Sequence, residues 1–208
     1  MTTRSADAPA SAISFTAVPE VVGETTLVRL PQEASAQLPS RGQVAVRGVL
    51  GGHEAATVLE PDGRRGHWMR VDSVWARAAG VAPSDAVQVV VEVAEDWPEP
   101  EVPKDLSDAL EAAPVRVRDV WRDITPMARW EWVRWVGATQ NAATRQRRVE
   151  VSIDKLDHGK RRPCCFDLSS CTDPGVCRSG RLAESATPDA PAGAQPPVVV
   201  RQGTRHSS

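Results

Sequence analysis

ITPMARWEWVRWVGATQNAATRQRRVEVSIDKL, running from Ile124 to Leu156, is the stretch on which the reading of the whole chain turns. Three tryptophans, Trp130, Trp132 and Trp135, fall in its first half and the arginines Arg145, Arg147 and Arg148 in its second. Thr125 followed by Pro126 is a helix start: the hydroxyl accepts from free backbone amides, and proline at the first helical position gives up an amide that has no partner there anyway. Gly137 marks the exit of this helix, and a last helix is expected from a cap at Thr144 through Leu156, with Val149, Ile153 and Leu156 on one face. The first helix is broadly apolar and must be largely buried. Its tryptophans read either as packing in a core or between domains, or as the wall of a ligand cleft.

Upstream, the periodicity is two. Strands are expected at 13–18, 25–30, 43–50, 53–60, 67–71 and 86–94. The cleanest is the last, where Val87, Val89, Val91 and Val93 share one face. Gly51 and Gly52 between two alternating runs predict a tight hairpin, since the turns that match strand twist need positive φ. Pro61, Asp62 and Gly63 form a second turn; Asp72 or Ser73 starts a short helix that Gly80 ends. Asp62, Asp72 and Asp85 thus read as turn or cap residues. Five to six short strands with one helix predict a small closed or nearly closed β-barrel, with Trp75 and Val74 plugging its end.

The expected fold class is therefore α+β. Residues 1–11 are small and polar and read as disordered, 12–96 as the barrel, and 97–104 as an acidic linker stiffened by Pro98, Pro100 and Pro103. Residues 105–162 form a small helical domain, with helices expected at 105–113 and 114–124 ahead of the two described above. Residues 163–208 are a cysteine-containing tail, expected to be disordered over most of 178–208.

At 208 residues and 41% hydrophobic content the chain can bury a real core. No apolar run approaches the ~20 residues that span a bilayer. The start of the chain lacks a secretory apolar region, and all four cysteines sit late in the sequence. A bacterial, cytoplasmic protein is expected, the bias of 22 Arg to three Lys fitting a GC-rich genome. The net charge of -2 hides a division: 92–111 carries -7, while 112–162 carries +6. An acidic hinge beside a basic helical region predicts that the two attract.

Arg145, Arg147 and Arg148 are the best binding candidates, because guanidinium groups offer paired planar donors to phosphate or carboxylate. Their partner is either internal, from Glu99, Glu101 or the helix at 105–113, or an external small anion. If Arg148 pairs with a partly buried acid, truncating it costs ~2 to 4 kcal/mol. Nucleic acid is disfavoured by the pI of about 6.1 and the absence of a reading motif. Cys164, Cys165, Cys171 and Cys177 raise a zinc or iron–sulfur alternative, but an adjacent pair and two single cysteines match no usual ligand spacing. They read instead as thiols packed against the helical domain, anchored by Phe166 and Leu168. His53, His67 and His158 fall in no catalytic pattern, and no cofactor is expected.

RWEWVRWV at 129–136 followed by ATRQRRV at 143–149 resembles the signature of the YdeI/OmpD-associated, or bacteriocin-protection, family. VDSVWARAAGVAPSDAVQV at 71–89 resembles a β-barrel domain of unknown function found in front of that module. The chain departs from the pattern at Ser84, Trp132, Thr139, Gln140 and Ala143. The resemblance implies a two-domain protein of a family linked by name to protection against bacteriocins and cationic peptides, and it does not imply an enzyme. The expected function is a non-enzymatic binding or stress-protection module for a small anion or peptide, with a cleft lined by Trp132, Trp135, Arg145, Arg147 and Arg148. The alternative is an enzyme or sensor acting on a small anion held by the three arginines.

Overall fold

In the computed structural model, which describes residues 12–80, 85–163 and 167–185, the architecture is α+β. The β part comprises β1 (Ile13–Ala17), β2 (Glu20–Val22), β3 (Thr25–Arg29), α1 (Gln32–Ala36), β4 (Val44–Leu50), β5 (His53–Pro61), β6 (His67–Arg70), α2 (Ser73–Ala78) and β7 (Val87–Val93). Its seven strands pair antiparallel in the order β1-β7-β4-β5-β6-β3-β2.

The hairpin forms at Gly51 and Gly52, with φ of +55° and +84°, and sets the register Leu50↔His53 through Val44↔Leu59. β5 is long enough to pair with β4 over most of its length and with β6 at Glu60 and Pro61, so it carries the sheet around a bend. Inside the curl lie Val28, Val46, Leu50, Leu59, Met69, Val89 and Val91, each fully or almost fully buried.

The expected closed or nearly closed barrel of five to six strands is corrected to a half-barrel of seven. Its two edges, β1 and β2, are joined directly through Val18 and Pro19 but do not pair. A three-residue strand beginning just after a proline offers too few donors to close the ring. The helix α1, for which the sequence pattern carries no signal, packs Ala34 into the core beside β1, and Leu38 follows it in. Trp75 enters this core and its indole N–H donates to the His53 carbonyl at 2.9 Å, whereas Val74 is 67% exposed and plugs nothing.

The helical domain follows the linker: α3 (Lys104–Ala112), α4 (Val115–Asp123), α5 (Pro126–Gly137) and α6 (Ala142–Asp157). Thr125 caps α5 through the Ala128 amide, as its type requires. The cap of α6 is Asn141, not Thr144; Thr144 supplies the capped amide, 2.9 Å from Asn141 Oδ1. Leu106, Val117, Ile124, Trp132, Val136, Val149 and Leu156 close the core between the four helices.

In the tail the described residues are 167–185, which end in a small hairpin of β8 (Cys177–Arg178) and β9 (Arg181–Leu182). They lie on the outer face of the half-barrel, where Cys171, Val176, Cys177 and Leu182 bury Val22, Leu27 and Trp68. Cys171 and Cys177 therefore pack against the β part rather than the helical part, and they are joined as a disulfide. Gly63, at φ +73°, lets the turn after β5 touch the Gly180 carbonyl; a Cβ there would overlap that oxygen. With both sheet faces covered, His67, Trp68 and Met69 are buried in succession, which breaks the alternation expected of a half-solvated strand. Residues 1–11 and 186–208, together with Ser84, Cys164, Cys165 and Phe166, lie outside the described residues.

Candidate functional site

The half-barrel, the helical domain and the tail meet at a cavity of about 440 Å³. α5 contributes Trp130, Val133, Arg134 and Gly137 from one face. β5 contributes Val58, Glu60 and Pro61, and β6 contributes Trp68 and Arg70. Asp72, Glu101 of the linker and Thr172 and Asp173 of the tail complete the rim.

Arg134 is the pivot. Its side chain is only 5% exposed; Nε lies 3.2 Å from Glu60 Oε2, and the guanidinium donates to the carbonyls of Leu168, at 3.2 Å, and Ser170. One residue thus ties helix, strand and tail together. Glu60 is also held by Gln43, whose amide donates to Oε1 at 2.6 Å. Burial pushes the Glu60 carboxyl above its ordinary range, opposed by the Arg134 charge and then by the Gln43 hydrogen bond. Burial likewise pulls the Arg134 guanidinium down, with Glu60 the strongest opposing charge; a guanidinium nonetheless stays protonated at neutral pH.

The second charge pair is more open. Arg70 reaches Asp173 at 2.5 Å and Thr25 at 2.9 Å, and lies 5.9 Å from the Trp68 ring centroid. Trp130 is fixed from behind, its indole N–H donating to the Pro98 carbonyl at 2.7 Å. The linker is strapped to the same helix by Glu99, which takes two hydrogen bonds from Arg129 at 2.6 and 2.8 Å. Asp72 Oδ1 is occupied as the cap of α2, accepting from the Val74 and Trp75 amides. Glu101 and Asp72 take part in no ion pair among the described residues, so the rim carries a surplus of negative charge.

Residues 99–159 match the family model described as Bacteriocin-protection, YdeI or OmpD-Associated, and residues 15–91 match that of a domain of unknown function, DUF1905. The helical domain thus matches the YdeI/OmpD-associated model and the half-barrel the DUF1905 model, and the cavity lies where the two adjoin. No curated protein matches the chain.

Within the YdeI/OmpD-associated domain, the residues singled out from sequence stand apart from this cavity. Trp132 is fully buried in the helical core and donates to the Arg161 carbonyl at 3.3 Å. Trp135 meets it edge-on at 6.0 Å and is covered on its other side by Arg148, 5.5 Å from its centroid. Arg148 donates to the Trp135 carbonyl at 2.7 Å and pairs with no carboxylate among the described residues. Arg145 makes a paired contact with Asp105 at 2.6 and 2.9 Å and holds that carboxyl below its usual range. Arg147 is exposed, 3.2 Å from Glu150 one turn on. Arg145 thus takes its partner from the helix at 105–113, while the linker's Glu99 serves Arg129 instead.

Sequence reasoning misses Glu60, Arg70, Arg134 and Asp173. A charged residue ending an alternating strand, as Glu60 does before Pro61, and an arginine flanked by Val133 and Trp135 in a tryptophan-rich helix are weak signals for the first and third. Asp173 has none. The disulfide leaves neither Cys171 nor Cys177 as a thiolate for the four-cysteine metal alternative. Among the described residues no group of His, Cys, Asp and Glu is placed to hold a metal, and no helix is long and apolar enough to cross a membrane.

Proposed function

We propose that the protein is a non-enzymatic binding module whose cleft between the DUF1905 and YdeI/OmpD-associated domains takes a peptide segment carrying a basic side chain. The observation that carries this reading is the composition of the cleft. Val58, Pro61, Val133 and the two indoles offer apolar walls, while Asp72 and Glu101 add carboxylates beyond those neutralised by Arg70 and Arg134. Such a surface suits an aliphatic stem ending in a cation. The Glu60–Arg134 and Arg70–Asp173 pairs satisfy each other, which favours a preorganised binding surface over a nucleophile and base awaiting substrate. A role in protection against bacteriocins, which the family description names, fits a protein that holds such peptides.

Calorimetric titration with short peptides of matched hydrophobicity tests the reading. Lys- or Arg-bearing peptides are expected to bind, with affinity falling as salt rises, and Asp- or Glu-bearing ones to bind at least ~10-fold more weakly. Trp130→Ala and Glu101→Gln each weaken the basic peptide. Preference for acidic peptides, or insensitivity to both substitutions, overturns the assignment.

A further inference from the structure

Cys171 and Cys177 are joined across the loop CTDPGVC, which closes one side of the cleft. Thr172 and Asp173 line the cavity from within that loop, and Asp173 is the one carboxylate that Arg70 pairs with among the described residues. The loop lies outside both matched regions, so this wall is added to the two modules rather than built by either. A second cavity between them, of about 470 Å³, shares no lining residue with the first, and the tail residues that line it, Asp167, Leu168 and Ser169, precede the loop.

The flanks of the loop are anchored independently of the disulfide. Arg134 holds the Leu168 and Ser170 carbonyls on one side, and the Leu182 amide donates to the Asp62 carbonyl at 2.9 Å on the other. Between them the bonds are local: the Val176 and Cys177 amides donate to the Asp173 carbonyl at 3.2 and 2.8 Å, and the Gly175 amide to Asp173 Oδ1 at 2.8 Å. β8 and β9 have two residues each, and a hairpin of that length is not stable alone. The cross-link therefore keeps three small side chains, Cys171, Val176 and Cys177, seated on Leu27 and Trp68 against the entropy of the chain. Breaking a link between residues six apart shifts the opening equilibrium roughly 30-fold toward the open form by loop entropy.

We propose that the Cys171–Cys177 pair is a redox switch on the cleft: the disulfide form presents Thr172 and Asp173 to the cavity, and in the dithiol form the loop lifts away. This rests on the reading of the cleft as a site for a basic side chain. Reduction is exchange with a dithiol, whose thiolate attacks one cysteine sulfur while the other cysteine leaves and takes up a proton. The reductant's second sulfur then displaces the first, so two electrons and two protons pass to the protein and the reductant ends as a cyclic disulfide. Both cysteines are buried, at 3% and 8% exposure, so exchange starts from molecules in which the loop has already lifted. A lifted loop withdraws the Asp173 carboxylate and leaves the Arg70 charge without that partner in the cleft, which opposes a ligand cation.

Calorimetric titration of the full chain with a short Lys-bearing peptide, oxidised and then reduced with dithiothreitol, tests the switch. Cys164→Ser and Cys165→Ser leave Cys171 and Cys177 as the only thiols. Affinity is expected to fall about threefold or more on reduction and to return on reoxidation. Replacing Cys171 and Cys177 by serine holds the weaker value under both conditions. Asp173→Asn, which keeps the disulfide, lowers the oxidised affinity and narrows the gap between the two states. Equal affinity in the two states overturns the switch, and so does loss of far-ultraviolet circular dichroism on reduction, which makes the bond a staple of the whole fold. Amide hydrogen exchange needs no ligand: on reduction the Val176 and Cys177 amides are expected to exchange about tenfold faster or more, while those of Val89 and Val91 in β7 stay protected. If no basic peptide binds in either state, the reading of the cleft falls and exchange alone decides, unchanged protection of Val176 and Cys177 overturning the switch.

Discussion

Replacing Arg134 by methionine is the most informative perturbation, because it keeps the buried stem and removes only the charge and its donors. Removing one partner of a buried ion pair costs about 3–5 kcal/mol when the other charge is stranded. One feature of the structure lowers that figure: Glu60 is 21% exposed and keeps the Gln43 hydrogen bond, so its charge is partly compensated. Against this, the Leu168 and Ser170 carbonyls lose their donor, at ~1 kcal/mol each where water cannot replace it. A loss of ~3 kcal/mol at pH 7 is expected for Arg134→Met. The loss should shrink as pH falls. The Glu60 carboxyl already sits above 4.5 in the folded protein, so the native state binds that proton more tightly than the unfolded chain and stability falls as pH rises through this window. Without Arg134 the folded value climbs further, the window widens upward, and parent and variant diverge toward neutral pH. Urea denaturation at pH 5 and pH 7, with matched m-values, measures both effects. Adding Glu60→Gln removes the stranded charge and should restore roughly half of the loss. A loss below ~1 kcal/mol at pH 7, the range of an exposed pair, would refute the idea that Arg134 clamps helix, strand and tail together.

Other expectations follow from single contacts. Replacing Cys171 and Cys177 together by serine removes a cross-link between residues six apart, which by loop entropy costs about 2 kcal/mol; reductant should lower the denaturation midpoint of the parent but not of the variant. His67 is buried, with its Nδ1 2.5 Å from the Ser35 hydroxyl and Nε2 3.0 Å from the Gly42 carbonyl, and burial lowers its pKa from 6.5. The unfolded chain then binds the extra proton, so stability falls as pH drops below 6.5 toward the folded value, and His67→Gln should flatten that part of the denaturation profile. Arg148→Ala is expected to cost ~1 kcal/mol, the worth of one hydrogen bond and a cation–π contact, rather than the ~2 to 4 kcal/mol of a broken buried pair; a larger loss by chemical denaturation would mean a carboxylate partner.

Those elements whose local chemistry is self-sufficient are legible in the sequence alone. The β4–β5 hairpin carries its own turn in Gly51 and Gly52, β7 carries its alternation, and α5 carries Thr125 and Pro126. Where two signals compete, the pattern misleads. Asn141 and Thr144 are both capping types three residues apart, and only the backbone decides which one starts α6. α1 and β2 are five and three residues long, too short for any period to register. Closure of the sheet depends on which strands pair, and alternation says only that a strand has a buried face. The tail misleads in its partner: its cysteines read as packing on the helical domain, yet Cys171, Val176, Cys177 and Leu182 lie on Trp68 and Leu27 of the half-barrel, a choice of surface that no local pattern encodes.

The cleft is hidden from a reading that selects residues by type rather than by the face they occupy. α5 has no single polar side because it has almost no free surface. Ala128, Trp132 and Val136 point into the helical core. Trp130, Val133, Arg134 and Gly137 border the first cavity, Met127 and Glu131 the second, and Trp135 lies under Arg148 of α6. A helix walled by its own domain, a neighbouring domain and a folded tail must satisfy each with different chemistry, so its sequence loses the amphipathic pattern from which faces are usually read. The three tryptophans, spaced two and three residues apart, consequently serve three separate ends. Trp132 fills a core, Trp135 packs against a neighbouring helix, and Trp130 alone reaches the cleft. Substitutions along this helix should therefore separate by face, with Trp132→Ala lowering stability by about 3–5 kcal/mol as for a large buried aromatic, while Trp130→Ala acts mainly on binding.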